Sequence, residues 1–157
     1  METPELKEPQ VIEIRPAGIF AFLKIFPLVL CTLGFLYLAW LLYPGLTWLS
    51  LLSLVVAVYR FTYIRKIRYT ISPEIIRISQ GIFFKRTDQV ELWRLKDYIV
   101  TQSFLLQIFR LMDLELKGTD PENPVIWLRG IPRSDLVDIL RPWVNEARQH
   151  NRIYEIN

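Results

Sequence analysis

One cysteine and one histidine in 157 residues exclude a good deal of chemistry. Cys31 has no second cysteine to pair with, so no intrachain disulfide forms and no cysteine-based metal site can be assembled. His150 follows the last helical pattern and reads as a solvated side chain. Gly-rich phosphate loops, HExxH, GxSxG and paired-cysteine motifs are all absent. The carboxylates do not converge either. Asp113 and Glu115 share one strand face, but their alternation with Leu114 and Leu116 makes that the solvated face. Asp135 and Asp138 sit three apart in the first turns of a helix, where negative charge complements the dipole. An enzyme needs convergent polar groups of matched acidity. No catalytic residue, cofactor or metal is therefore expected, and the chain is not expected to be an enzyme.

An excess of one charge is also missing. The chain has 19 Lys+Arg against 16 Asp+Glu, a net charge of +3, and no stripe of basic residues interleaved with stacking aromatics. That excludes nucleic acid as the expected partner.

The most informative absence is local. Residues 25–59 contain no charged side chain, whereas residues 65–157 hold 27 of the 35 in the chain. The 52% hydrophobic content therefore blends two solvents. A single helix over 25–59 would be about 50 Å long, against a hydrocarbon core of about 30 Å. Two spans fit better, and "WLLYPGLTW" (40–48) supplies the break. Pro44 cannot continue a helical hydrogen-bond ladder, and Gly45 permits the turn. The reading is a hairpin over 19–64, with helices at about 19–43 and 46–64 and the turn at 44–45. Trp40, Tyr43 and Trp48 then fall at one membrane–water interface, where amphipathic rings concentrate. Phe20, Phe22, Tyr59, Phe61 and Tyr63 flank the other.

Orientation follows from the basic flanks. The turn has no Lys or Arg, while Arg15 and Lys24 precede the first span and Arg60, Arg65, Lys66 and Arg68 follow the second. Both termini are expected on the cytoplasmic side of the membrane, with Lys24 snorkelling outward. A signal peptide is excluded by Glu2, Glu5, Glu8 and Glu13, and by an apolar run that starts late and continues too long. A soluble helical pair is disfavoured because the run has no polar face.

From Ile67 the period changes to two. Strands are expected at 67–71, 74–79, 82–87, 88–93, 96–103, 112–118 and 124–130, joined by short turns without βαβ spacing, so the sheet is antiparallel. Residues 104–111, "FLLQIFRL", fit either a helical turn or a continuing strand. Residues 11–15, "VIEIR", fit either a sheet edge or a segment lying on the membrane. The segment 132–150 is an amphipathic helix: Leu136, Ile139, Leu140, Trp143, Val144 and Ala147 form one stripe for docking on the sheet, and Pro142 should bend it.

The stretch "YTISPEIIRISQGIFFKRTDQVELWRLKDYIVTQSFL" (Tyr69 to Leu105), the later "LEL" and the closing helix resemble the bacterial pleckstrin-homology-like family, the membrane-flanked domain proteins. The family pattern is a tyrosine-led strand, a turn, and a strand pair of the form I-R-x-x-x-G-I, here Ile76 to Ile82. The resemblance implies a PH-like bent antiparallel sheet or barrel of seven strands capped by one helix, over residues 65–157. Residues 1–18 form a cytoplasmic N-terminal segment before the hairpin. It also implies an interaction or adaptor module held at the membrane, often assembled with copies of itself. The basic loop with which phosphoinositide-binding relatives grip inositol lipids would correspond to Ser72-Pro73-Glu74, which is short and acidic.

Three roles follow for such a chain. The first is a non-enzymatic module that binds a protein partner or itself. The second is an anionic-lipid surface, with Arg60, Arg65, Lys66 and Arg68 as candidate headgroup contacts extended by Lys85 and Arg86, each contributing about 1 kcal/mol near anionic lipid. The third is an accessory subunit of a membrane enzyme or transporter, contacted through Gly34, Ala39, Ser50, Ser53 and Ala57.

Overall fold

Two sheets and a helical hairpin share the chain, and the hairpin interrupts one of the sheets. The computed structural model describes residues 11–151. Strand β1 (Ile12–Ile14) precedes the hairpin helices α1 (Gly18–Leu41) and α2 (Thr47–Lys66), and strand β2 (Arg68–Ile71) follows them. β1 nevertheless pairs with β2, Glu13 opposite Thr70. Of the two placements open to "VIEIR", the sheet edge is the one adopted, because Ile12 and Ile14 pack against the core on that register.

The first sheet has the order β1-β2-β3-β4, with β3 at Ile75–Gln80 and β4 at Arg86–Glu91. The second has the order β5-β6-β7, at Leu95–Thr101, Leu111–Gly118 and Val125–Pro132. Every pairing is antiparallel. Ile71, Ile76, Leu92, Leu95, Leu114, Leu116, Leu128 and Ile131 fill the space between the sheets. Helix α4 (Leu136–His150) closes it with Leu136, Leu140 and Val144. Ile139 was expected on that stripe but is 41% exposed at its margin. The helix also begins at Leu136, after β7 has run on to Pro132, and it continues past Pro142.

The strand expected at 82–87 does not form. Residues 81–85 are a loop, and the strands read at 82–87 and 88–93 merge into β4 and a 3-10 turn at Leu92–Arg94. Gly81 explains the break: its φ is +116°, and a Cβ there would lie 1.9 Å from the Phe84 carbonyl oxygen. The chain folds back so tightly that Phe83 and Phe84 are thrown outward, 82% and 93% exposed. Residues 104–111 resolve into a short helix, α3 (Phe104–Ile108), before β6.

The hairpin turns where Pro44 and Gly45 were expected to turn it, through a 3-10 turn at Pro44–Leu46. Gly45 is required because the Tyr43 ring lies over it, 2.1 Å from where a Cβ would stand. Trp40, Tyr43 and Trp48 project outward around this tip. Pro27 lies within α1 on an exposed face. Both helices are long and apolar enough to cross a membrane, and only 11% of each apolar window is buried within the protein.

From Thr32 through the tip to Ala57, what is buried is small or hydroxylated: Thr32, Ala39, Ser50 and Ala57. Ser50 Oγ donates to the Thr32 carbonyl at 3.0 Å. Ser53 Oγ donates to the Leu28 carbonyl at 3.2 Å and accepts from Thr32 Oγ1 at 3.1 Å. Each such bond contributes about 1 kcal/mol. The small residues thus serve the hairpin's own contact and leave little for an outside helix. Gly34 is different: it is exposed, with nothing within 4 Å of an added Cβ. Ala57→Leu should destabilise the hairpin by about 1–3 kcal/mol through overpacking. Gly34→Leu should stay within about 0.5 kcal/mol of wild type. Thermal unfolding of the two variants in one detergent checks the contrast.

Candidate functional site

The hairpin does not hang free of the sheets. The Ala17 N–H donates to the Gly130 carbonyl at 2.8 Å, so the chain entering α1 is hydrogen-bonded to the edge of β7. Gly130 itself is in the left-handed region, φ +62°, and its missing side chain is occupied by Phe20, whose Cγ would be 2.1 Å from a Cβ. The Gly130 N–H donates to Asp113 Oδ1 at 2.6 Å. Asp113, expected on a solvated face, is therefore half-buried and committed to this junction. Phe20 goes on to pack with Leu106 of α3, Leu111 and Ile64.

Beside that junction lies a cleft of about 550 Å³. Helix α1 contributes Phe20 and Lys24, one turn apart, and α2 contributes Arg60, Tyr63 and Ile64. The sheets close it with Tyr69, Ile78 and Gln80 on one side and Trp127 and Arg129 on the other. Lys24 Nζ stands 5.4 Å over the Phe20 ring, and the Arg129 guanidinium 5.0 Å over Trp127. No lining residue is acidic. Among the described residues, no carboxylate comes within ion-pair distance of Lys24, Arg60 or Arg129. Tyr69 OH accepts the Arg129 backbone N–H at 3.1 Å. Burial pushes the Tyr69 phenol above the ordinary tyrosine value, with the Asp113 charge acting in the same direction.

The expected basic contacts share this end of the molecule but not one pocket. Arg60 alone lines the cleft. Arg65 reaches across to α1, its guanidinium 3.1 Å from where a Gly18 Cβ would be. Lys66 and Arg68 are exposed at the α2–β2 junction. Arg68 stands opposite Ser79, and Arg86 opposite Gln80, so Lys85 and Arg86 leave from the same sheet end. Arg86 is also engaged by Asp88 at 2.8 Å.

Lys24 was read as a basic flank of the first span that snorkels outward and not as a ligand contact, and Arg129 was not singled out at all. The signal for Arg129 was the alternation in β7: Ile126 and Leu128 are buried, so Trp127 and Arg129 share the outer face. Also unforeseen are the exposed apolar groups bordering the hairpin base, Phe83 and Phe84 in the β3–β4 loop and Phe104, Leu105 and Ile108 on α3. Among the described residues no group of three or more His, Cys, Asp or Glu could hold a metal ion.

The family model described as the bacterial PH domain matches residues 17–147. The match takes in the hairpin together with most of the sheets and the closing helix, and the chain belongs to this family. Comparison with curated proteins and with solved structures returns no match.

Two outcomes follow from the junction. Gly130→Ala should cost about 1–2 kcal/mol for the left-handed backbone alone, and more for displacing Phe20. Phe20→Ala should then cost less in the Gly130→Ala background than in wild type, a coupling that a double-mutant cycle of thermal stabilities measures. Because the folded Tyr69 pKa is raised, its contribution is complete below about pH 10. It should be lost as pH rises from there through the folded value, since the unfolded chain releases the proton first. A Tyr69→Phe variant should show a shallower alkaline decline in an unfolding series from pH 8 to 11.

Proposed function

Given a bacterial PH-like domain built onto an apolar hairpin, we propose a non-enzymatic, membrane-anchored interaction module. The hairpin, at about 19–64, crosses the bacterial cytoplasmic membrane with both termini on the cytoplasmic side. The PH-like domain, chiefly 65–157 with β1 added, is seated on the bilayer by its hairpin-side face. Its remaining surface is offered to a protein partner or a second copy of the chain. The observation that carries this is the placement of exposed apolar and basic groups outside the hairpin. The Phe83-Phe84 loop and α3 border the hairpin base, where Arg60, Arg65, Lys66 and Arg68 also gather.

A domain in free solution gains nothing from exposing Phe84 and Phe104, 93% and 75% accessible. At an interface the same rings enter the headgroup boundary while the cations meet anionic lipid. The tip aromatics Trp40, Tyr43 and Trp48 suit the opposite interface. The α1 length of 24 residues gives about 36 Å, enough to cross a core of about 30 Å and leave one turn projecting.

The test is a depth measurement on full-length protein in liposomes, with Cys31→Ser as background. Nitroxides at Phe84→Cys and Ile108→Cys should be more accessible to oxygen than to a water-soluble nickel chelate. A label at Gln89→Cys should show the reverse. Chelate-dominated accessibility at Phe84 and Ile108 would reject a domain seated on the bilayer by this face.

A further inference from the structure

We infer that the cleft at the hairpin base is a binding site for the phosphate of an anionic phospholipid, held among Lys24, Arg60 and Arg129. The inference rests on the membrane reading above and assigns it a ligand and a place.

Three elements each contribute one cation, and the lining contributes no anion. Arg94 by contrast is matched with Glu91 and Asp120, Arg86 with Asp88, and Lys117 with Glu115. Convergent unmatched cations repel one another, and an anion removes that cost. A phosphodiester suits them because its oxygens accept from Arg and Lys donors together. Two of the three cations are also held in place before any ligand arrives, Lys24 over Phe20 and Arg129 over Trp127. Preorganised donors lose less on binding.

Depth separates a lipid from a soluble anion. Lys24 is six residues inside the start of α1 and Arg60 six residues before the end of α2, so the two stand level. That is about 9 Å in from the open ends of the hairpin. The polar region on one side of a bilayer is about 5–8 Å thick, so both cations lie near the boundary between headgroup and hydrocarbon. There the phosphate of a lipid is already present, while Phe20 and Tyr63 offer apolar wall to its glycerol and upper acyl chain. At about 550 Å³ the cleft admits a whole phosphoglycerol headgroup and not only one phosphate.

The experiment uses full-length protein, delipidated in mild detergent and titrated with phosphatidylglycerol, with bound lipid read by native mass spectrometry. Each of Lys24→Gln, Arg60→Gln and Arg129→Gln should weaken the first bound lipid about fivefold, the equivalent of about 1 kcal/mol per charge. Arg129→Gln is the safest variant, because that side chain is exposed on β7 and its backbone hydrogen bond is untouched. The charge-matched variants Arg77→Gln, Lys96→Gln and Arg133→Gln, exposed on the domain away from the cleft, should change retention less than about twofold each. Phosphatidylcholine should be held no better than by the Arg129→Gln variant.

Equal losses from both sets would assign binding to general charge and overturn the site, as would equal retention of phosphatidylcholine. Displacement of the lipid by an equal concentration of glycerol 3-phosphate would assign the cleft to a free anion instead. If labelling shows that the hairpin does not cross the membrane, the anchoring reading falls and takes the site with it. If it crosses and the cleft variants retain lipid like wild type, the site alone falls.

Discussion

Gly130 is where the molecule is held together. Its carbonyl receives the chain as it enters the hairpin, its N–H is bound by Asp113, and the volume its side chain would fill belongs to Phe20. A residue with a Cβ would be strained in the left-handed region and would also expel the aromatic ring. Because β1 precedes the hairpin and β2 follows it, the hairpin is clamped by its own sheet as well as by this contact. The PH-like domain is thus seated on the hairpin and not merely tethered to it.

That seating creates the cleft. Lys24 and Arg60 belong to the hairpin and Arg129 to the second sheet, so the three cations meet only when the two parts are docked. Leu106 of α3 packs on Phe20 and Ile64 at the same junction, and Gln80, just before the turn that carries Phe83 and Phe84, lines the cleft. A surface that is basic and aromatic on one side is suited to positioning the domain at an interface. The belonging of the chain to the bacterial PH domain family, generally a family of interaction modules, agrees with that character.

Much of this was legible in the residues. The uncharged run, Pro44-Gly45 and the ring of aromatics specified a hairpin and its turn, because helix breaking is a local property of Pro and Gly. Period-two alternation placed β3, β6 and β7, where one face turns toward the core and the other away from it. Legibility failed where long-range packing decides. "IFFKRT" has strand propensity throughout, yet the left-handed Gly81 turns it into a loop. "VIEIR" finds its partner beyond the whole hairpin, at Thr70, a pairing no local pattern encodes. "FLLQIFRL" is apolar on all sides because α3 faces both Phe20 and the outside. The cleft combines residues more than 100 positions apart, so only the outer-face alternation of Trp127 and Arg129 hinted at it.

The fixed seating of the domain on the hairpin is the central claim, and pulsed electron–electron resonance tests it directly. Spin labels at Leu49→Cys near the hairpin tip and Gln89→Cys on β4, in the Cys31→Ser background, report one distance across the junction. In liposomes containing phosphatidylglycerol the account predicts a single narrow distribution, broadened when Gly130 is replaced by Val. A broad distribution already present in the labelled protein with Gly130 intact would contradict it, because the domain would then swing on a flexible tether.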